Sequence, residues 1–323
     1  MSTGVWSCSV AWRHLHGGTV LVSFNFEEKS LTQLVTLHEY SELPVKEPDW
    51  LIPNLIPREG LILLIGPPKA GKSFLALQLA RDAAQAKPVL GHEIDKPITS
   101  LYLQLDARPR VWRIVTRSLK ESGEDLSGPV FFVHPDNWSR YNILLESDRN
   151  ILRQYVEKAE AELVILDVLR EVHAVDENDS TTMKLVGDGL LSTFPKCSLL
   201  IVHHSRKIPS DVPDPDPMTY GRGSSYIVGK ADAVWFLYRS KLRIIPRFDE
   251  DTTIEAVREE SGFWAFPKLE EFKRVKEQVS SLCKEFPELS HNQISFIARE
   301  KFGIHRKMYY QNLPTICEHI PSN

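Results

Sequence analysis

Gly66-Pro67-Pro68-Lys69-Ala70-Gly71-Lys72-Ser73 sets two glycines, a lysine and a hydroxyl at the spacing G-x-x-x-x-G-K-S. That set suits the grip on a polyphosphate. Glycines let backbone N–H groups converge on phosphate oxygens with no Cβ in the way. A helix opening at Lys72 adds the partial positive charge of its N-terminus. Lys72 can bring its ammonium to the β- and γ-phosphates, and the Ser73 hydroxyl can ligate magnesium. Gly66 to Phe74 is therefore the expected nucleotide-contacting stretch, with ATP and Mg2+ as its ligands. Such a site needs a carboxylate at the end of a neighbouring buried strand. Leu163-Val-Ile-Leu-Asp167 supplies four apolar residues and then an acid. Asp167 falls at the carboxyl edge of the sheet, where ligands of α/β folds gather, and is expected to hold magnesium with Ser73.

These groups need a scaffold that delivers them to one edge. Gly60-Leu-Ile-Leu-Leu-Ile65 is a continuous apolar run, the pattern of a strand buried on both faces. Lys72 to Gln85 reads as a helix able to pack on it through Phe74, Leu75, Leu77 and Leu79. Ile98–Leu105, Pro129–Val133, Glu162–Leu166 and Ser198–His203 read as further strands, with an amphipathic helix over Ser147–Ala161. Strands alternating with helices imply an α/β fold whose sheet is mostly parallel and covered on both sides. Beyond Ala231 the rhythm changes. Ala231–Tyr238, Lys241–Phe248, Thr253–Arg258 and Phe263–Phe266 read as a meander of short strands.

Bulk properties narrow the class. The net charge of -4 exerts no global pull on nucleic acid, so any basic surface must be local. Cys8, Cys197, Cys283 and Cys317 share no C-x-x-C spacing and read as thiols of a reducing, cytoplasmic compartment. The longest apolar runs are far too short to span a bilayer, and no secretory signal is evident at the N-terminus. Met1 to Gly18, with Trp6 and Trp12, reads either as an extra strand or as residues upstream of the natural start.

Several segments resemble the RepA-like branch of the RecA superfamily, a group of hexameric replicative helicases. They are Trp50-Leu-Ile-Pro-Asn-Leu-Ile-Pro, the glycine-rich loop, Asp167-Val-Leu-Arg with Asp176-Glu-Asn-Asp179, His203-His204-Ser-Arg-Lys207 and Gly221-Arg-Gly-Ser-Ser225. The resemblance covers roughly residues 49 to 266. It implies a RecA-like P-loop NTPase core that hydrolyses ATP. Val168 follows Asp167, so the acid that orients the attacking water comes from the end of the neighbouring strand, which implies Asp106. The family carries glutamate there, and aspartate is one methylene shorter, which implies slow turnover. His203 or His204, and of the two chiefly His204, would sense the γ-phosphate. Arg206 and Lys207 fall in the place of a loop that grips single-stranded DNA, although Asp211, Asp214 and Asp216 in that loop oppose a polyanion. Arg222 resembles the arginine that reaches a neighbouring subunit's nucleotide, which implies a homo-oligomeric ring, a hexamer.

Other chemistries fit less well. Asp176 to Asp179 lacks the spaced ligands and terminal glutamate of a calcium loop and reads instead as the cap of a helix near Ser180. The two histidines have no partner ligands at zinc spacing. Nothing resembles an acceptor-binding domain, which weakens a kinase reading.

The division expected is an N-terminal extension over 1–48, the ATPase core over 49–267 and a small helical module over 268–323. In the last, Phe272, Val275, Val279 and Leu282 form a helical stripe. Ser290 to Gln293 is a capping box opening a second helix, and His305 opens a third. The layout is that of a helix-turn-helix or winged helix, with Arg306 and Lys307 placed to meet DNA. Two readings follow. One is a ring-shaped motor moving along single-stranded DNA in plasmid- or phage-type replication. The other is a nucleotide-switched assembly or regulatory ATPase without helicase activity.

Overall fold

The computed structural model describes residues 6–13, 19–26, 34–43, 49–137, 139–209, 212, 215–221, 225–247 and 250–304. The chain divides into two compact units, Met1–Glu47 and Pro48–Asn323. In the first, β1 (Trp6–Arg13) and β2 (Thr19–Phe26) pair antiparallel, Trp6 opposite Phe26 and Arg13 opposite Thr19. A strand therefore does run through part of Met1–Gly18. The short helix α1 (Leu37–Ser41) opens on a capping box between Thr36 and Glu39.

The second unit begins with the small hairpin β3 (Trp50–Ile52) and β4 (Ile56–Pro57). It continues with β5 (Leu61–Gly66), α2 (Lys72–Ala84), β6 (Ser100–Gln104), α3 (Pro109–Glu121), β7 (Val130–Phe132), α4 (Glu146–Ala159), β8 (Leu163–Asp167), α5 (Ser180–Thr193) and β9 (Ser198–His204). After the short helices α6 (Pro217–Tyr220) and α7 (Ser225–Lys230) come β10 (Ala233–Tyr238), β11 (Lys241–Pro246) and β12 (Thr252–Glu255). β13 (Val257–Arg258) and β14 (Trp264–Ala265) form a separate ribbon. Two helices, α8 (Pro267–Glu285) and α9 (His291–Phe302), end the described chain.

Eight strands form one sheet in the order β12-β11-β10-β5-β9-β8-β6-β7. From β10 to β7 every pairing is parallel, and β11 and β12 add antiparallel strands at one edge. This bears out the RecA-like α/β fold with a mostly parallel sheet. All of β5 is buried, with Leu61, Leu63 and Ile65 in one apolar cluster and Ile62 and Leu64 in the other. Alternation along a strand produces that division, and each large apolar side chain buried contributes about 1.5–3 kcal/mol. Helices α2 and α3 pack on the face of Ile62 and Leu64, while α4, α5 and α7 pack on the face of Leu61, Leu63 and Ile65.

Two local expectations shift. Helix α3 was not anticipated, because only Trp112 and Leu119 of its thirteen residues are buried. The strand expected over Thr253–Arg258 breaks at the buried Ala256 into β12 and β13. In α8, Val275, Val279 and Leu282 form a small cluster with Ile294 and Ala298 of α9. Helix α9 opens on the Ser290–Gln293 capping box and stops at Gly303, whose φ is 69°. The expected third helix, with Arg306 and Lys307, lies outside the described residues.

The expectation of unpaired thiols holds for Cys197 but not for Cys283, which is disulfide-bonded. Sequence spacing does not reveal such a pair, since bridging depends on the approach of two Cβ atoms in space. Among the described residues, no helix is long and apolar enough to cross a membrane.

Candidate active site

The loop between β5 and α2 folds as a cradle because two positions admit only glycine. A Cβ on Gly66 would lie 2.4 Å from the carbonyl oxygen of Leu237 on β10. Gly71 has φ +91°, and a Cβ there would meet the Trp264 ring at 2.7 Å. Trp264 fixes the loop from outside. Its indole N–H donates to the Gly71 carbonyl (3.2 Å), while its backbone exchanges hydrogen bonds of 2.7 and 2.8 Å with the Gln78 amide on α2. Among the described residues, no side chain caps the N-terminus of α2, in contrast to α5, where Asp179 accepts from Thr181 N. The first N–H groups of α2 are thus left for an anion.

Lys72 is 4% exposed and folded back on its own loop. Its ammonium donates to the carbonyls of Gly66 and Pro67, both at 2.9 Å, and lies 3.4 Å from Nδ1 of His204. For that nitrogen to accept, the imidazole proton must sit on Nε2. Burial lowers the Lys72 ammonium to about 8, opposed by the charges of Asp167 and Asp106.

Asp167 ends β8 with no exposed surface. The Tyr102 hydroxyl donates to Oδ2 at 2.8 Å and lies 3.2 Å from the Ser73 carbonyl. Among the described residues, Oδ1 has no hydrogen-bond partner, and it is buried. Burial pushes the carboxyl up to about 6, with the Ser73 and Tyr102 hydroxyls acting in the opposite sense. An orphaned carboxylate oxygen beside a serine hydroxyl and a lysine suits a hydrated magnesium ion, so the residues present fit the metal that such a cradle uses.

The cleft that these groups face encloses about 450 Å³, lined among others by Lys69, Phe74, Asp106, Trp112, His204 and Arg258. Asp106 follows β6, where its backbone N–H donates to the Asp167 carbonyl at 3.2 Å. The Gln104 amide, oriented with its oxygen toward Trp112, accepts from the indole at 2.7 Å and ties the Asp106 turn to α3. Of the two histidines, His204 lines the cleft. His203 is buried and interacts with His173. Alternation along β9 sends them to opposite faces.

Other anticipated residues lie apart from this cleft. Arg206 and Lys207 are exposed on the loop after β9, which is closed by a bridge between Ser205 and Gly221. One of the loop's acids, Asp216, caps α6 by accepting from Met218 N at 3.0 Å. Arg222, Asp211 and Asp214 lie outside the described residues. Sequence reasoning missed Tyr102, Trp264 and Arg258, whose guanidinium lies 5.0 Å over the Phe74 ring at the cleft. The alternation of Tyr102 with Gln104 on β6 was a usable signal for the first. No local pattern pointed to the others.

A glycine-rich cradle opening an uncapped helix, with a buried strand-end acid beside it on a mostly parallel sheet, defines a P-loop ATPase. The chain matches the AAA domain family over residues 27–209, more than half its length, and belongs to that family. Among solved structures, a KaiC-like protein from the hyperthermophilic archaeon Pyrococcus horikoshii OT3 is similar over 69% of this chain and 99% of that one. The TM-score is 0.42 and the identity 13%. No curated protein matches.

Proposed function

We propose that the protein hydrolyses ATP with magnesium and passes its nucleotide state to the loop after β9, as a RecA-type motor on single-stranded DNA. The observation that supports this best is the 3.4 Å approach of Lys72 to His204, the last residue of β9. Phosphates entering the cradle compete with the loop carbonyls and His204 for the Lys72 ammonium. Freed from Lys72, His204 reorients, and the Ser205–Gly221 loop it leads into changes with it. Lys72 and the N–H groups of Gly66 to Phe74 bind the phosphates, Ser73 and Asp167 hold the metal, and Asp106 orients the attacking water. Bound magnesium supplies neutralisation of charge on the β- and γ-oxygens. Arg222 acts on a neighbouring subunit's nucleotide in a hexameric ring, and Arg206, Lys207, Arg306 and Lys307 contact DNA. This is the arrangement of the RepA-like helicases that the sequence resembles.

A second reading, a nucleotide-switched assembly or regulatory ATPase, is favoured by aspartate rather than glutamate at position 106. Steady-state ATP hydrolysis with and without single-stranded DNA separates the two. A DNA-driven motor gives stimulated turnover that is lost in Lys72→Ala and falls as salt rises. Slow turnover indifferent to DNA defeats the motor reading and leaves the switch.

A further inference from the structure

Helix α3 carries more positive charge than its surroundings require. From Asp106 to Glu121 the chain has five basic residues (Arg108, Arg110, Arg113, Arg117 and Lys120) against two acids. Arg110, Arg113, Arg117 and Lys120 recur at i, i+3, i+7 and i+10, one stripe of a helix, and all four are exposed. Among the described residues, Arg117 alone of these four forms an ion pair, with Glu121 at 2.9 Å and at the helix's far end. Such a stripe on an acidic protein is the local basic surface that bulk composition does not reveal.

Beside the stripe lies an aromatic pocket of about 230 Å³. Its walls include Tyr102, Trp112, Phe132 and Tyr141, with Arg113 and Thr116 of α3 on one side. Tyr102 and Phe132 are stacked at 5.0 Å and 16°. Phe132 remains 39% exposed and its neighbour Phe131 45%, on the sheet's outermost parallel strand. The pocket is below the roughly 300–1,000 Å³ of drug-sized sites, a size suited to one planar ring. A basic track next to an exposed stacking ring, that of Phe132, is the composition that holds single-stranded nucleic acid.

We infer that the α3–β7 edge binds a single-stranded nucleic acid, its phosphates along Arg110, Arg113, Arg117 and Lys120 and one base in the Tyr102–Trp112–Phe132 pocket. This rests on the single-stranded DNA reading above and names a surface other than the loop after β9. The place has a mechanistic consequence. Val111, Trp112 and Val115 of the same helix line the nucleotide cleft, and Gln104 joins Trp112 to the Asp106 turn. A base wedged against Trp112 therefore bears on the residue proposed to orient water.

Fluorescence anisotropy of the full chain with labelled dT20 and rU20 at 50 mM salt tests the inference. The wild type is expected to bind. With three to four phosphates neutralised, affinity falls roughly 20- to 50-fold on raising salt to 200 mM. Arg113→Glu/Arg117→Glu is expected to weaken binding at least about tenfold, with an unchanged unfolding temperature, while Arg113→Lys/Arg117→Lys retains it. Phe132→Ala is expected to weaken binding roughly five- to a hundredfold through lost stacking. Preference between dT20 and rU20 identifies which nucleic acid the surface takes, and either supports it.

Unaltered binding in the glutamate pair, with loss in Arg206→Ala/Lys207→Ala, overturns the inference while leaving the DNA reading intact. Failure of the wild type to bind either strand overturns both. A change in sedimenting mass of the glutamate pair would then assign the stripe to contacts between copies.

Discussion

Asp167→Asn should stabilise the ligand-free protein at neutral pH while abolishing its use of magnesium. The carboxyl stands at about 6 in the fold against an ordinary 3.8, and burial is the main cause. Between those values the folded chain holds a proton that the unfolded chain has released. Stability of the wild type therefore falls as pH rises through that window and stays low above it. The difference corresponds to about 3 kcal/mol. Asparagine keeps an acceptor for Tyr102 but replaces a charged partner with a neutral one, a loss of about 1 kcal/mol. A net gain of about 1–2 kcal/mol is expected at pH 7.5 and none near pH 4. Urea unfolding of both proteins between pH 4 and 7.5, without nucleotide or metal, measures it. Mg-ATP should then raise the wild-type midpoint and leave that of the variant nearly unmoved. A variant less stable than wild type at pH 7.5, with a wild-type curve flat from pH 4 to 7, would refute the assignment of an ionised, uncompensated acid at this position.

Asp106→Glu lengthens by one methylene the acid proposed to orient water and should raise kcat several-fold, whereas Asp106→Asn should lower it by about two orders of magnitude, both read in steady-state ATP hydrolysis. Gly71→Ala forces a side chain into φ +91° and against Trp264, so it should cost about 1–3 kcal/mol of stability and eliminate nucleotide binding, measured by calorimetric titration. Tyr102→Phe removes the donor to Asp167 Oδ2, so the carboxyl should rise further and the magnesium requirement for half-maximal turnover should increase, most strongly below pH 7.

The site's phosphate half was legible because its physics is local. A doubly buried parallel strand must read as an unbroken apolar run, and a loop that offers N–H groups must spend glycines, so β5, the cradle and Asp167 stand out in the chain. The resemblance pointed to His203 or, chiefly, His204, and it is the setting of β9 against β5 that puts His204 at the cleft. Helix α3 escaped because its buried residues, Trp112 and Leu119, lie seven apart while Val111 and Ile114 are exposed. Arg258 and Trp264 were invisible for another reason. They meet the cradle only through the folding of the meander, and no window of sequence contains both partners.

That distance along the chain governs when the site can exist. The Gly71–Trp264 and Gln78–Trp264 hydrogen bonds join residues 193 and 186 positions apart. β5 also gains its neighbour β10 only from residues 233 to 238. A growing chain that has displayed the whole phosphate motif, with Asp167 and His204 behind it, still lacks the indole that holds Gly71 and the strand that flanks Gly66. Competence to bind nucleotide should therefore arrive late in synthesis and in a single step, after Trp264 has left the ribosome. A fragment ending at residue 209, where the family match stops, would carry the motif intact and a cradle open on one side.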